Sequence, residues 1–199
     1  PVLAYIGNDT ICEGFTSAVS PSSLGTWSSS APSVATITNT GAITGFSAGK
    51  TQFTYTKTAT GCHDTLRKFT VNPLPIVNAI TGTTSICIGN TSTLANTTLG
   101  GTWSSDTPGV ASINPITGLL TGISAGYAVI DYTVVTLGCT TVVSTVITVN
   151  SLPTVNNISG VKQVCVGVKI KLTNNTPAGV WSSASPTIAT ISVTGTVTG

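Results

Sequence analysis

One phrase occurs three times along the chain, and this repetition constrains the fold more than any other feature. It reads GTWSSSAPSVATITNTGAITGFSAG from Gly25 to Gly49 and GTWSSDTPGVASINPITGLLTGISAG from Gly101 to Gly126. The third copy reads GVWSSASPTIATISVTGTVTG from Gly179 to Gly199. Each copy contains Trp-Ser-Ser, a Pro, an alternating Ala-Thr/Ser-Ile segment and a Thr-Gly pair. A phrase copied so closely indicates a structural unit.

The period of the repeat sets the size of this unit. Trp27, Trp103 and Trp181 lie 76 and 78 residues apart. Solenoid coils repeat every 20 to 50 residues or so, whereas this longer period suits a small complete β domain. Proline-containing joints, which suit short stiff linkers, mark the boundaries. They are Pro1-Val2, Leu74-Pro75-Ile76-Val77 and Leu152-Pro153-Thr154-Val155. The sequence therefore predicts repeats at residues 1–74, 75–152 and 153–199.

Apolar residues alternate with Thr and Ser, as in VATIT, TQFTYT and STVITV. This period of two predicts strands with one buried face, and helix patterns are almost absent. Charged residues make up 6% of the 199, against roughly 25% in ordinary soluble proteins. Without a basic cluster we expect no nucleic-acid binding, and without about 20 consecutive apolar residues we expect no membrane-spanning segment.

The second repeat predicts about seven short strands. They fall at Val77–Ile80 with Ser85–Ile88 as one broken edge strand, then Thr91–Asn96, Gly101–Ser105, Val110–Ile113, Leu119–Gly122, Tyr127–Val135 and Thr141–Val149. Turn signals every 8 to 12 residues are typical of an Ig-like β-sandwich. The fold class is therefore all-β, with tandem Ig-like sandwiches. The aromatic residues expected in the cores are Trp27, Trp103, Trp181, Tyr55 and Tyr132.

The run W-S-S-x-x-P-x-V-A-T-I, followed by T-G-x-x-T-G-x-S-A-G and an aromatic-rich strand, resembles the bacterial Ig-like (Big) repeats. The extra cysteines and the L-P-x-V joints are similar to versions found in large secreted surface proteins of Bacteroidota. The resemblance covers the whole chain. It implies the sandwich fold and a role as spacer, stalk or adhesive module, without choosing among them.

The third repeat stops at Gly199, the equivalent of Gly45 and Gly122, before its last two strands. A sandwich without those strands exposes Trp181, Ile188 and Ile191 and leaves edges unpaired. We expect that the natural chain continues or, as an alternative, that another subunit donates the missing strands.

Five cysteines occupy two repeating positions. Cys12, Cys87 and Cys165 precede the second strand, whereas Cys62 and Cys139 lie in the Gly-Cys turn between the last two strands. This placement in a charge-poor chain predicts disulfides and an extracellular location. The preferred pairing is within repeats, Cys12–Cys62 and Cys87–Cys139. The alternative joins neighbours, since the two positions lie at opposite poles of an Ig domain and stacking brings Cys12 near Cys139.

No catalytic, cofactor or metal site is expected. His63-Asp64 beside Cys62 fits a solvated turn better than a nucleophile, because the second repeat has Cys139-Thr140-Thr141 there. The acids Asp9, Glu13, Asp64, Asp106 and Asp131 form no spaced acid/base pair. Asp9-Thr10-Ile11 and Asp64-Thr65-Leu66 resemble O-glycosylation sites of Bacteroidota, which makes Thr10 and Thr65 candidate acceptors.

These features predict a non-catalytic structural protein: an extracellular or cell-surface stalk or filament of tandem Ig-like repeats. Its expected partners are copies of itself or neighbouring repeats, end to end. The first alternative is an adhesin whose repeats project a domain that binds a surface glycan or protein ligand. The second is a carbohydrate-binding module of a secreted enzyme, which needs Trp27 and Trp103 exposed on one flat face.

Overall fold

The computed structural model describes residues 3–21 and 23–199; the Pro1-Val2 joint lies outside them. The described chain holds twenty-one strands and no helix. It divides into two compact units, Pro1–Ser151 and Leu152–Gly199. The all-β, Ig-like fold class is confirmed, while the division into residues 1–74, 75–152 and 153–199 stays a prediction.

Ten strands lie in the first repeat. They are β1 (Ala4–Tyr5), β2 (Thr10–Cys12), β3 (Thr16–Ser20), β4 (Gly25–Ser29), β5 (Ala35–Ile37), β6 (Ala42–Gly45), β7 (Gly49–Thr51), β8 (Phe53–Lys57), β9 (His63–Thr65) and β10 (Phe69–Asn72). One sheet has the order β1-β3-β6-β5, and the others have the orders β2-β10-β7 and β4-β8-β9. Only Gln52 separates β7 from β8. This order corresponds to the two sheets of an Ig domain.

Seven strands lie in the second repeat. They are β11 (Ser85–Cys87), β12 (Thr91–Thr93), β13 (Thr102–Ser105), β14 (Ala111–Ile113), β15 (Leu119–Gly122), β16 (Gly126–Thr136) and β17 (Cys139–Asn150). The sheet β11-β17-β16-β13 accompanies the sheet β12-β15-β14. Of the predicted broken edge strand, the part at Ser85–Ile88 forms β11, whereas the part at Val77–Ile80 forms no strand and is followed by an isolated bridge between Thr81 and Ala95.

The long hairpin of β16 and β17 extends beyond the predicted strands. Eleven residue pairs join the two strands, from Gly126 opposite Val149 to Thr136 opposite Cys139. The predicted alternation is present on β16, where Ala128, Ile130, Tyr132 and Val134 are buried and the residues between them are more exposed. At the turn the pairing continues to Thr136 and Cys139, and at the other end it continues to Gly126, so β16 is longer than predicted at both ends.

Each of the first two repeats has its own aromatic core. Trp27 on β4 packs against Tyr55 on β8, with ring centroids 5.1 Å apart, and Trp103 packs against Tyr132 at 4.6 Å. The rings are tilted, a favourable aromatic geometry. Residues of both sheets surround these pairs in the two separate clusters. This arrangement closes each sandwich.

A glycine beside each tyrosine permits this packing. A Cβ added at Gly101 would lie 2.3 Å from Cζ of Tyr132, and one at Gly25 would lie 2.3 Å from Cζ of Tyr55. The corresponding Gly179 meets only the Thr176 carbonyl oxygen, at 3.7 Å. The repeated phrase begins with glycine in all three copies, but a tyrosine ring lies against this glycine only in the first two copies.

We expect Gly101→Ala to lower the free energy of unfolding of the first unit by about 1–3 kcal/mol, since the new methyl must displace the Tyr132 ring. Gly179→Ala is the matched control and should change the urea midpoint little. Urea unfolding followed by circular dichroism measures both. Equal midpoints for Gly101→Ala and the unsubstituted chain would contradict this packing argument.

The second unit contains one sheet. Its strands are β18 (Ser159–Gly160), β19 (Lys169–Thr173), β20 (Thr190–Ile191) and β21 (Thr196–Thr198), in the order β18-β19-β21-β20. Ile188 is 77% exposed, whereas Trp181 and Ile191 are partly buried. Val155, Ile158, Ile170 and Leu172 line an open groove in this unit.

Candidate functional site

The described residues contain one disulfide, between Cys12 and Cys139. Cys12 ends β2 and Cys139 begins β17. Their Cα atoms are 5.6 Å apart, although 127 residues separate them in sequence. The disulfide therefore joins the first repeat to the second, as in the neighbour-to-neighbour alternative.

The preferred pairings Cys12–Cys62 and Cys87–Cys139 are wrong. β2 runs parallel to β10, so that Cys12 lies opposite Asn72, where the last strand of the repeat ends. Cys62 lies just before β9, which belongs to the sheet β4-β8-β9, whereas β2 belongs to the sheet β2-β10-β7. Cys62 is a free thiol, and Cys139 is bonded to Cys12 instead of Cys87.

A tight hairpin turn directly precedes Cys139. Leu137 and Gly138 form its two central residues, with φ of 53° and 80°. Two consecutive positive φ values define the type I′ hairpin turn, whose twist matches that of the flanking strands. Cys139 is fully buried, and the amide Nδ2 of Asn72 donates a hydrogen bond to the Leu137 carbonyl oxygen at 2.9 Å. The turn is therefore fixed by a covalent bond and by a hydrogen bond from the first repeat.

Three cysteines are free: Cys62 and Cys165 are exposed, and Cys87 is half-buried. The expectation that Cys62 is oxidised is therefore wrong. Cys87 lies opposite Asn150 on the parallel strand pair β11 and β17, just as Cys12 lies opposite Asn72. The two repeats thus present a cysteine at the same register position.

The structure buries the predicted core aromatics of the first two repeats. Trp27 and Trp103 are 6% and 5% exposed, and Tyr55 and Tyr132 are buried beside them. Trp181 is only partly buried. The hydroxyl groups of Tyr55 and Tyr132 donate to the carbonyl oxygens of Ser23 and Thr98, both at 2.6 Å. Trp27 and Trp103 therefore form no exposed platform for a sugar.

The acids act as hydrogen-bond acceptors for the backbone and for hydroxyl groups. The Glu13 carboxylate accepts a hydrogen bond from the Ala48 N–H at 2.6 Å. Hydrogen bonds from the Thr107 hydroxyl and the Val129 N–H lower the pKa of Asp106. Among the described residues, no group of three or more His, Cys, Asp or Glu is placed to hold a metal ion. His63 and Asp64 lie exposed on β9.

Both candidate glycan acceptors are exposed on strands. Thr10 lies on β2, two residues before Cys12, and its hydroxyl donates to the Asp9 carboxylate at 3.4 Å. Thr65 ends β9, and its N–H donates to the Asp64 carboxylate at 2.8 Å. Asn8, Asp9, Thr10 and Ile11 form one side of a shallow cleft at the joint, with Leu137 and Gly138 on its other side.

Tyr5 lies on β1, an edge strand of the sheet β1-β3-β6-β5. Its hydroxyl donates a hydrogen bond to the Arg67 carbonyl oxygen at 2.5 Å, and its ring lies 5.6 Å from that of Phe69. Burial raises the pKa of Tyr5 to about 12, and the nearby Asp9 carboxylate acts in the same direction. A raised pKa favours the neutral phenol in the folded state.

We expect the stabilisation from this phenol to be present below pH 10 and to be lost as the pH rises from 10 towards about 12, since the unfolded chain ionises first. Tyr5→Phe should lose about 1 kcal/mol at pH 7 with the hydrogen bond, and should weaken the alkaline loss. Urea unfolding from pH 7 to 11 measures this, with the free cysteines replaced by serine to prevent thiolate attack on the disulfide. Parallel pH profiles for the two chains would contradict the assignment.

A family model, the bacterial Ig-like domain (group 2), matches residues 12–65. The resemblance of the repeated phrase to bacterial Ig-like repeats is confirmed over these residues. No curated protein shows significant similarity to the chain. Among the described residues, no helix is long and apolar enough to cross a membrane.

Several solved structures are similar at low identity. Domains 4 and 5 of the S-layer protein SbsC are 18% identical, with a TM-score of 0.27, covering 66% of this chain and 72% of that chain. SbsC domains 1–6 are 16% identical, with a TM-score of 0.27, covering 92% of this chain but 26% of that one. A C-terminal intimin fragment, in complex with the intimin-binding domain of its translocated receptor, is 13% identical, with a TM-score of 0.41, covering 80% and 66%.

Sequence reasoning missed three residues of the site. Asn72 and Leu137 meet across the joint, and Tyr5 binds Arg67 62 residues away. The Leu-Gly pair before Cys139 was an available signal, because a two-residue turn ending in glycine is typical of a hairpin. No local pattern indicates the partners of Asn72 or Tyr5.

Proposed function

We propose that the chain is a non-catalytic structural part of an extracellular or bacterial cell-surface protein, in which three tandem Ig-like repeats contribute to a stalk or filament. The Cys12–Cys139 disulfide carries this proposal, because it fastens consecutive repeats to each other. Disulfides persist in oxidising compartments, which supports a location outside the cytoplasm. The expected partners are like repeats, end to end.

A second candidate is an adhesin, in which these repeats project a domain that binds a surface glycan or a protein. An exposed apolar surface on the second repeat supports a contact role for the repeats themselves. Leu99 and Ile116, 88% and 87% exposed, flank one groove on the second repeat together with Pro115 and Thr117. Exposed apolar side chains grouped around a groove are typical of contact surfaces.

Electron microscopy of the native material, released from the source cells, distinguishes the two candidates. Uniform fibres with a fixed axial repeat are expected for a filament, and separate strands without a head for a stalk. Beaded strands that end in a distinct head would favour the adhesin. Compact particles, or material found only inside the cells, would contradict both.

We also propose that Thr10 or Thr65 carries an O-linked glycan, since both hydroxyl groups lie on exposed residues next to an aspartate. In peptide maps of the native protein, the peptides that contain Thr10 or Thr65 should exceed their sequence masses by sugar increments. Threonines outside an Asp-Thr-apolar context, such as Thr26 and Thr102, are the internal control. Native peptides that contain Thr10 and Thr65 and have their unmodified sequence masses would rule out this modification.

A further inference from the structure

The disulfide closes most of the first unit into one covalent loop. Cys12 and Cys139 are 127 residues apart in sequence, so residues 13–138 all lie between the two ends of one bond. The loop contains strands β3 to β16, which include nearly all of the first sandwich and most of the second. Both Trp–Tyr pairs therefore lie within this covalently closed loop.

When the two ends of the first unit are pulled apart, the disulfide carries the tension past residues 13–138, because it is the shorter covalent route. Between Leu3 and Asn150 that route consists of residues 3–12, the disulfide and residues 139–150. Residues 13–138 lie in parallel with one bond whose Cα atoms are 5.6 Å apart. As long as that bond is closed, the loop cannot be pulled out, whatever happens to its fold.

The segments on this route include strands that are already extended. β17 runs without interruption for twelve residues, from Cys139 to Asn150. An antiparallel strand rises about 3.4 Å per residue and a fully stretched chain reaches about 3.6 Å, so β17 gains only a few ångström under tension. β2 is also a strand, which ends at Cys12.

Neighbouring strands hold both segments along their length. β2 pairs in parallel with β10 through three residue pairs, from Thr10 opposite Thr70 to Cys12 opposite Asn72. β17 pairs with β16 through eleven residue pairs and in parallel with β11 through three. These hydrogen bonds keep β17 extended along its length, while its covalent backbone carries the tension from Cys139 to Asn150.

We propose that the Cys12–Cys139 disulfide gives the first unit a further, mechanical function: it makes this unit a tether of nearly fixed length and diverts tension around residues 13–138, which hold most of both cores. This inference rests on the structural role proposed above and specifies how the repeats serve it. Residues 13–138 keep their fold under tension, because the force passes through residues 3–12 and 139–150 and, among the buried core residues, through Ile147 and Val149 of β17 but not through those inside the loop.

Single-molecule stretching of the full chain between handles at its two ends tests the proposal. The parent carries Cys62→Ser, Cys87→Ser and Cys165→Ser, so that Cys12 and Cys139 are its only cysteines. The comparison chain also carries Cys12→Ser and Cys139→Ser. Peptide mapping without reduction confirms the disulfide in the parent before the measurement.

The fully stretched parent should be shorter than the comparison chain by about 420–460 Å, the length of 127 residues at roughly 3.3–3.6 Å each. Because the contour length of a stretched chain does not depend on its fold, the test holds even if the serine variant unfolds. A phosphine reductant added to the stretched parent should lengthen the same molecule by that amount.

Equal contour lengths in the two chains, or a map in which Cys12 and Cys139 are unlinked, would overturn the tether. The two failures are distinguishable, because electron microscopy tests the structural role separately. Fibres or strands together with unlinked cysteines would overturn the tether alone, and compact particles together with a closed disulfide would overturn the structural role alone.

Discussion

Replacing Cys12 and Cys139 by serine is expected to lower the free energy of unfolding of the first unit by about 5 kcal/mol. The chain-entropy estimate for a disulfide grows with the loop that it closes, and the sequence separation here is 127 residues. Without the bond, the unfolded chain regains the freedom to separate these two points. This loss is large against the total stability of about 5–15 kcal/mol that folded proteins have.

Urea unfolding of the purified chain, followed by circular dichroism, measures this loss. Cys62→Ser is the matched control, since Cys62 is a free and exposed thiol, and its free energy of unfolding should change by no more than about 0.5 kcal/mol. Large losses in Cys62→Ser and in Cys12→Ser alone, with none in Cys139→Ser alone, would instead support the pairing of Cys62 with Cys12.

Trp103→Ala is expected to lower the free energy of unfolding by about 3–5 kcal/mol, the usual range for removing a large buried aromatic side chain. Trp103 is 5% exposed, and its ring centroid lies 4.6 Å from that of Tyr132. The substitution removes this contact and leaves a cavity between the two sheets of the second repeat.

Trp181→Ala provides the control from the same position of the repeated phrase. Trp181 is partly exposed and no sandwich closes over it in the second unit, so its removal should lower stability by about 1 kcal/mol or less. Far-UV circular dichroism during urea unfolding is the appropriate measurement, because both substitutions alter tryptophan fluorescence. Equal losses for the two variants would contradict the difference in burial.

Much of the fold followed from local patterns. The alternation of apolar residues with Thr and Ser predicted the strands of the second repeat closely, including β15 at its observed bounds, because alternate side chains of a strand point to opposite faces. The Trp and Tyr of the first two repeats were predicted as core because the third and sixth strands of an Ig-like sandwich place aromatic residues there. Gly101 was seen only as part of the phrase, although its lack of a side chain is what admits the Tyr132 ring.

The disulfide illustrates what local patterns leave open. The sequence indicated that Cys12 and Cys139 form disulfides, and it placed them near a strand and in a turn. Their partners depended on which end of the sandwich each one occupies. The parallel pairing of β2 with β10 decides this for Cys12, and it links residues about 60 positions apart.

The sequence by itself determined the repeat, the all-β class, most strands and the core aromatics, because each depends on residues that are neighbours along the chain. Only the tertiary structure decided that Cys12 bonds to Cys139, that Asn72 holds Leu137 and that Tyr5 reaches Arg67. These contacts join residues more than 60 positions apart. Such pairs meet only after the sheets have set their direction and register, which no local pattern encodes.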